Sequence, residues 1–249
     1  MVFLTRLNRF GSALLLVLGV CFVSPAAVQA SDLVKPWPEN ASQPIPSPWV
    51  AQYHPKIPQH TEFKLVQAGG TLALEAVANK AYGTLVHPFA SPVVLNTLSW
   101  EWQVLTHPTG ADLKTKAGDD AGAKLCVFVQ IDEGKLGLGT RLAMAAARTL
   151  SGENLPAATL CYVWGSPGER VGQVFDNPYT DRVRNMVLRD LPGSNALLSE
   201  QRDLQADARL AFGDELPKGA VRFTGLALGA DSDNTGSTAK ARFGDIAAQ

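Results

Sequence analysis

The sequence predicts a mainly β protein, an antiparallel β-sandwich of jelly-roll type with one or two short helices. Short runs in which apolar and polar residues alternate recur from residue 63 to the C-terminal end. Polar turns separate these runs at close spacing, and only two segments have a helical composition. This combination is typical of two packed antiparallel sheets.

The predicted strands follow one another along most of the chain. Residues 63–65 and 72–76 alternate on either side of the turn at Gly69-Gly70. The clearest strand is residues 98–104, in which one face carries all the large apolar side chains: Leu98, Trp100, Trp102 and Val104. Such one-sided burial is typical of antiparallel sheets. Further strands are predicted in these ranges: 82–87, 124–131, 159–164, 182–189, 223–228 and 239–246.

Two segments favour helix. Residues 203–213 are the stronger candidate, because Asp203 can cap the first turn and Gly213 can end the last one. Residues 141–150 (RLAMAAARTL) have high helix propensity and are alternatively a mobile insertion.

The first thirty residues have the pattern of a signal peptide. Arg6 and Arg9 precede an apolar core at residues 12–23, and Ala30 ends a run of small residues suited to cleavage. The core is shorter than the roughly 20 residues that a membrane span needs. We therefore expect cleavage after Ala30, a periplasmic or secreted protein, and no transmembrane segment in the mature chain. The alternative is a lipoprotein anchored at Cys21, which Val20 disfavours because a small residue normally precedes a lipidated cysteine.

Residues 31–60 form a proline-rich extended arm, since proline excludes helix and central strand. Trp37, Trp49 and Tyr53 are expected to pin it to the sandwich, and the alternative is an exposed aromatic binding strip. The remaining residues, 61–249, are expected to form a single β-sandwich domain.

Charge narrows the classes of partner. After loss of Arg6 and Arg9, 20 Lys and Arg remain against 23 Asp and Glu, with no basic cluster. This balance excludes a typical nucleic-acid-binding surface. The expected partners are a glycan, another small polar ligand or a protein.

Two cysteines, Cys126 and Cys161, remain after processing, and both lie in predicted strands. They form a disulfide if the strands are neighbours in an oxidising compartment. The alternative is two buried free thiols.

The C-terminal turn contains the candidate metal ligands Asp231, Asp233 and Asn234, with Asp245 further along the chain. Calcium prefers carboxylate, amide and carbonyl oxygens, often from acids two residues apart. The alternative is a turn in which these side chains bond their own backbone. Calcium is the one cofactor that the sequence suggests.

Two further segments are candidates for ligand binding. The first is rich in hydrogen-bonding and planar charged groups: Asn177, Tyr179, Asp181, Arg182 and Arg184. The second is a glycine-flanked loop with Asp119 and Asp120. The structural alternative for the first segment is an ion-paired corner. For the second it is a solvated turn with an ion pair across the loop to the nearby Lys116 or Lys124.

Trp164 is the better candidate for an aromatic platform, because a turn follows it. Trp100 and Trp102 are expected in the core.

Several blocks together resemble a bacterial exported family, domain of unknown function 3047. They occur in this order: 98–104 (LSWEWQV), 116–120 (KAGDD), 161–164 (CYVW), 177–184 (NPYTDRVR), 201–207 (QRDLQAD) and 231–246 (DSDNTGSTAKARFGDI). The resemblance implies a sandwich similar to galactose-binding-like and carbohydrate-binding modules, but no activity. Cys161 departs from the asparagine expected there, and residues 134–155 form an idiosyncratic insertion.

The predicted function is therefore a non-catalytic, exported binding module for a glycan or other polar cell-envelope ligand. The alternatives are an envelope interaction or structural protein, and a carbohydrate-active hydrolase or lyase. No nucleophile motif or metal-spaced histidine pair favours catalysis.

Overall fold

The computed structural model describes residues 33–151 and 155–249, so the predicted signal peptide lies outside the described residues. Two sheets pack face to face, and this confirms the predicted β-sandwich. Within the described ranges, no helix is long and apolar enough to cross a membrane.

The larger sheet has seven strands in the order β1-β4-β11-β6-β7-β9-β8. Their bounds are β1 Val50–Gln52, β4 Thr84–Val94, β6 Ala123–Val129, β7 Thr159–Trp164, β8 Val174–Asn177, β9 Thr180–Arg189 and β11 Arg222–Gly229. Neighbours are antiparallel except β7 and β9, which run parallel.

The smaller sheet has five antiparallel strands in the order β10-β5-β12-β3-β2. Their bounds are β2 Glu62–Ala68, β3 Thr71–Asn79, β5 Thr97–Thr106, β10 Leu198–Asp203 and β12 Thr238–Ala248. The strand predicted at residues 98–104 is confirmed as β5, and its four large apolar side chains are all buried.

An aromatic cluster joins the two sheets across the core. Trp102 of β5 packs edge-on against Trp164 of β7, with ring centroids 5.6 Å apart. Trp100 packs against Tyr162 of β7 at 5.2 Å. Aromatic pairs bury large areas in a fixed geometry, so these contacts set how the sheets lie against each other.

The seven-stranded sheet is apolar on its outer face as well. All six residues of β7 are buried, although only Leu160, Tyr162 and Trp164 belong to the core between the sheets. The outward side chains belong to a second apolar cluster: Val86, Leu113, Ala121, Cys126, Cys161, Val163, Val187 and Ala227. A strand buried on both faces needs cover outside the sheet.

Both predicted helices are present as α1 (Leu138–Ser151) and α2 (Leu204–Phe212). The predicted cap of α2 is confirmed, because the Asp203 carboxylate accepts from the Ala206 N–H at 3.0 Å and Gly213 follows with a φ of 47°. In α1, by contrast, Leu138, Leu142 and Leu150 are exposed.

The proline-rich arm closes one side of the sandwich. Trp49 packs edge-on against His87 of β4, and the Trp37 indole donates to the carbonyls of Phe243 and Gly244 in β12. Both tryptophans are buried, as packing predicts, whereas Tyr53 is 36% exposed. The arm also contributes β1 as the edge strand of the larger sheet.

The indole donor of Trp37 gives a test of how the arm is held. The substitution Trp37→Phe should lower the free energy of unfolding by about 1–3 kcal/mol, because two buried carbonyls lose their donor. Urea denaturation measures this change. Glu39→Gln, at an exposed position of the same arm, is the control. Equal stability of Trp37→Phe and wild type would show that the indole does not anchor the arm.

Candidate functional site

A cleft of about 1080 Å³ lies over the outer face of the seven-stranded sheet. Val86, Cys126 and Ala227 lie in its floor, because outward side chains alternate along β4, β6 and β11. Helix α1 forms one wall, and Tyr53 from the arm forms part of another. The helix and the arm therefore cover the outer face of the sheet only in part, and the uncovered part is the floor of the cleft.

The two cysteines lie side by side in this floor. Cys126 in β6 and Cys161 in β7 are direct partners in the antiparallel register. Of the two alternatives for these residues, the structure shows the disulfide. It cross-links two central strands directly beneath the cleft.

Three loops that are far apart in sequence meet at the polar end of the cleft. Asn177 donates its side-chain N–H to Asp119 at 2.6 Å. The Tyr179 hydroxyl donates to the Asn234 side-chain oxygen at 2.7 Å. The Asn234 backbone N–H in turn donates to Asp120 at 3.2 Å. The predicted ligand segment, acidic loop and metal turn therefore form one cluster.

Two of the acids hold these loops in place. Asp120 accepts from the Thr235 N–H at 2.7 Å, and Asp231 accepts from the Ala121 N–H at 2.8 Å. Both carboxylates are buried. Because a buried acceptor without a donor is costly, these bonds specify how the two loops fit together.

Lys124 of β6 provides a buried positive charge at the same place. It forms an ion pair with Asp231, and its ammonium lies 5.3 Å from the centre of the Tyr82 ring. Burial opposes its charge, but Asp231 outweighs burial and raises the pKa of Lys124 above its ordinary value. Lys124 is therefore a fixed cation of the site.

In the part of the chain that the structure describes, Asp119 and Asp233 form no ion pair. Burial, followed by the charges of Asp231 and Asp120, raises the pKa of Asp233 from 3.8 to about 6. Burial also raises the pKa of Asp119 to about 6, although Lys124 and Asn177 partly offset it. Perturbed carboxyl groups in a cleft are typical of functional sites.

Three of the acids offer oxygens to a common point. One carboxylate oxygen each from Asp120, Asp231 and Asp233 lie within 4.8 Å of one another. Among the described residues, Asp233 Oδ1 is buried and has no hydrogen-bond partner. Asp120 was predicted as a ligand contact and not as a member of the metal group, and the fold brings it there.

Two predicted site residues lie elsewhere. Trp164 was predicted as an aromatic platform, which is wrong: its side chain is buried in the core, and its indole donates to the Leu191 carbonyl at 2.7 Å. Asp245 was predicted as a metal ligand and instead accepts from the Trp37 backbone N–H at 2.8 Å. It anchors the arm far from the other three predicted ligands along β12.

The two arginines form the structural corner that was the alternative to ligand binding. Arg182 pairs with Asp181 and with Glu215, which follows α2. Arg184 pairs with Asp176 and donates to the carbonyl of Ala211. Their guanidinium groups are therefore engaged within the fold, as the ion-paired corner predicts, and Arg182 also lines the cleft.

Sequence reasoning missed the role of Lys124, which was expected near the Asp119-Asp120 loop only as an ion-pair partner across a turn. A signal was present, because Lys124 lies on the same strand face as Cys126 and Phe128 in the run KLCVF. A charged residue among outward apolar side chains of a central strand indicates a buried partner. Tyr53, which also lines the cleft, was given a binding role only in the alternative of an exposed aromatic strip, and Tyr82 was not singled out.

The family of the chain follows from a sequence profile that matches residues 47–247 and is described as "Protein of unknown function (DUF3047)". The chain belongs to the DUF3047 family. A comparison with curated proteins found no match. Among solved structures, one titled "endo-1,4-beta-glucanase CelB2, cellulase, native structure" is similar to this DUF3047 protein with a TM-score of 0.42 and 12% identity. The match covers 81% of this chain and 92% of the other.

The raised pKa of Asp233 predicts a pH dependence of stability. Its folded-state pKa of about 6 lies above its ordinary value of 3.8, so between these pH values the folded state binds more protons than the unfolded state. This contribution therefore stabilises the fold as pH falls from 7.5 to 5. Asp233→Asn removes it, so the variant should gain less stability on acidification than wild type in urea denaturation.

Asp214→Asn, at an exposed position away from the cleft, serves as the matched control and should follow the wild-type profile. Superimposable pH profiles for wild type and Asp233→Asn would contradict the electrostatic description of the site.

Proposed function

We propose that this DUF3047 protein is an exported binding module whose cleft takes a glycan or another polar ligand of the cell envelope. The observation that carries the proposal is the convergence of three separate loops at one end of the cleft. Their side chains present amide, hydroxyl and carboxylate groups above an apolar floor. Concave sites with a few convergent polar groups are typical of small-ligand binding.

Tyr179 is the residue we assign to sugar stacking. Its side chain is 56% exposed at the cleft, while its hydroxyl is fixed by Asn234 and the Lys116 carbonyl. An exposed ring whose orientation is held by hydrogen bonds is preorganised to stack on the apolar face of a sugar.

Export is supported by the N-terminal pattern of residues 1–30 and by the disulfide beneath the cleft. Disulfides persist in oxidising compartments such as the periplasm and are rare in the cytosol. We therefore assign the protein to the periplasm or the extracellular space.

Binding is tested by isothermal titration calorimetry of residues 31–249 with cello-, xylo- and chito-oligosaccharides. At least one series should bind, and Tyr179→Ala should weaken that binding about tenfold, on the order of 1.4 kcal/mol. Val171→Ala, exposed and outside the cleft, is the control and should bind as wild type does. Absence of binding throughout the panel, or equal binding by Tyr179→Ala, would reject the assignment.

We also propose calcium as the inorganic cation of the acidic cluster, with Asp120, Asp231, Asp233 and Asn234 as its ligands. The support is the group of carboxylate oxygens within 4.8 Å and the partnerless oxygen of Asp233. Calcium accepts such oxygen ligands in flexible geometries. Lys124 already neutralises part of the negative charge, so we expect weak binding.

Calcium binding has a direct thermal test. A ligand that binds only the native state raises the melting temperature by mass action. Calcium chloride should raise it, EDTA should return it to the starting value, and Asp233→Asn should abolish the rise while Asp214→Asn retains it. An unchanged melting temperature in millimolar calcium would reject the calcium site and leave the acids with a structural role in the turn.

A further inference from the structure

The polar end of the cleft has more negative than positive charge. Four carboxylates meet there, from Asp119, Asp120, Asp231 and Asp233. Within residues 33–151 and 155–249, only Asp231 among them forms an ion pair, and its partner is Lys124. Since buried like charges repel strongly, the site is suited to a further positive group.

One oxygen of Asp233 is the atom to which such a positive group would bind. This oxygen, Oδ1, is buried and has no donor among the described residues, whereas the oxygens of Asp120 and Asp231 accept backbone N–H groups. A buried carboxylate oxygen without a donor is costly. A ligand that brings a charged N–H donor to Asp233 Oδ1 would satisfy it.

Tyrosine rings at the same place already interact with ammonium groups. The Lys124 ammonium lies 5.3 Å from the Tyr82 ring centre, and the Lys116 ammonium lies 5.2 Å from that of Tyr179. Cations are attracted to the negative face of an aromatic ring. Lys124 thus already places an alkylammonium group between an acid and an aromatic ring at this end of the cleft.

The floor of the cleft continues from this end as an apolar surface. Val86, Ala227 and the disulfide follow Lys124 along the sheet, and Met144 and Ala147 of α1 face the same cleft. A hydrated inorganic ion gains nothing from apolar surface, whereas a carbon chain is stabilised in proportion to the apolar area that it buries.

We propose that the ligand of this cleft carries an alkylammonium group, which binds Asp119 and Asp233 at the polar end while its carbon chain lies along the apolar floor. The proposal rests on the cleft of the proposed function but not on the ligand being a glycan. A polyamine, an amine-bearing polymer and a lysine side chain share this chemistry.

The test compares three six-carbon probes with different end groups: 1,6-diaminohexane, 1,6-hexanediol and adipate. Calorimetric titration at pH 7.5 in EDTA, which removes the calcium that would compete for Asp233, should show binding of the diamine, much weaker binding of the diol, and none of the dianion. Asp233→Asn should weaken diamine binding about tenfold or more, as loss of a charge-assisted bond implies. Asp119→Asn is a second variant with the same expectation, and Asp214→Asn should bind as wild type does.

The outcomes separate this proposal from the glycan assignment. Equal binding of diamine and diol, or no binding of the diamine to folded protein, overturns the alkylammonium site even if a neutral oligosaccharide binds. Diamine binding without oligosaccharide binding supports the site and rejects the glycan. Spermidine and the tripeptide Gly-Lys-Gly then distinguish a free polyamine from a lysine side chain, and binding of either one supports the proposal.

Discussion

The structure depends on one constraint, that the central strands of the seven-stranded sheet are apolar on both faces. Inward side chains of β7, such as Tyr162 and Trp164, pack against Trp100 and Trp102 of the opposite sheet. The outward ones cannot face water without loss of hydrophobic stabilisation. The loop before β6 covers part of this face through Leu113 and Ala121, and where cover is incomplete the apolar surface becomes the floor of a cleft.

The polar cluster is a consequence of how the covering loops are fixed. Loops contribute backbone N–H groups that need acceptors wherever the loops are buried, and Asp120 and Asp231 supply them. Those acids bring negative charge into a place of low solvent exposure. Lys124 balances the charge of Asp231. Asp119 and Asp233 have no such partner among the described residues, and burial raises the pKa of both carboxyl groups. Structural requirements thus concentrate carboxylates at one end of the cleft.

Local patterns were sufficient to predict β5 and α2 because their signals lie within a few neighbouring residues. Alternation placed Trp100 and Trp102 in the core, and Asp203 and Gly213 marked the ends of a helix. Trp164 and Asp245 were misplaced for a common reason. Each is a plausible surface residue in its own segment, and each is bound by a partner distant in sequence: the cluster around Trp102 and the arm at Trp37.

The sequence by itself determined the sandwich class, the limits of its clearest elements and the three polar segments of the candidate site, since these follow from periodicity and residue chemistry. Tertiary structure alone decided that the segments of Asp119, Asn177 and Asp233 form one cluster. Their loops are separated by more than fifty residues along the chain and meet only in the folded protein. It also decided that Cys126 and Cys161 are paired and that an apolar cleft lies above them. The physical reason is that strand order and loop packing are long-range properties, which local sequence does not specify.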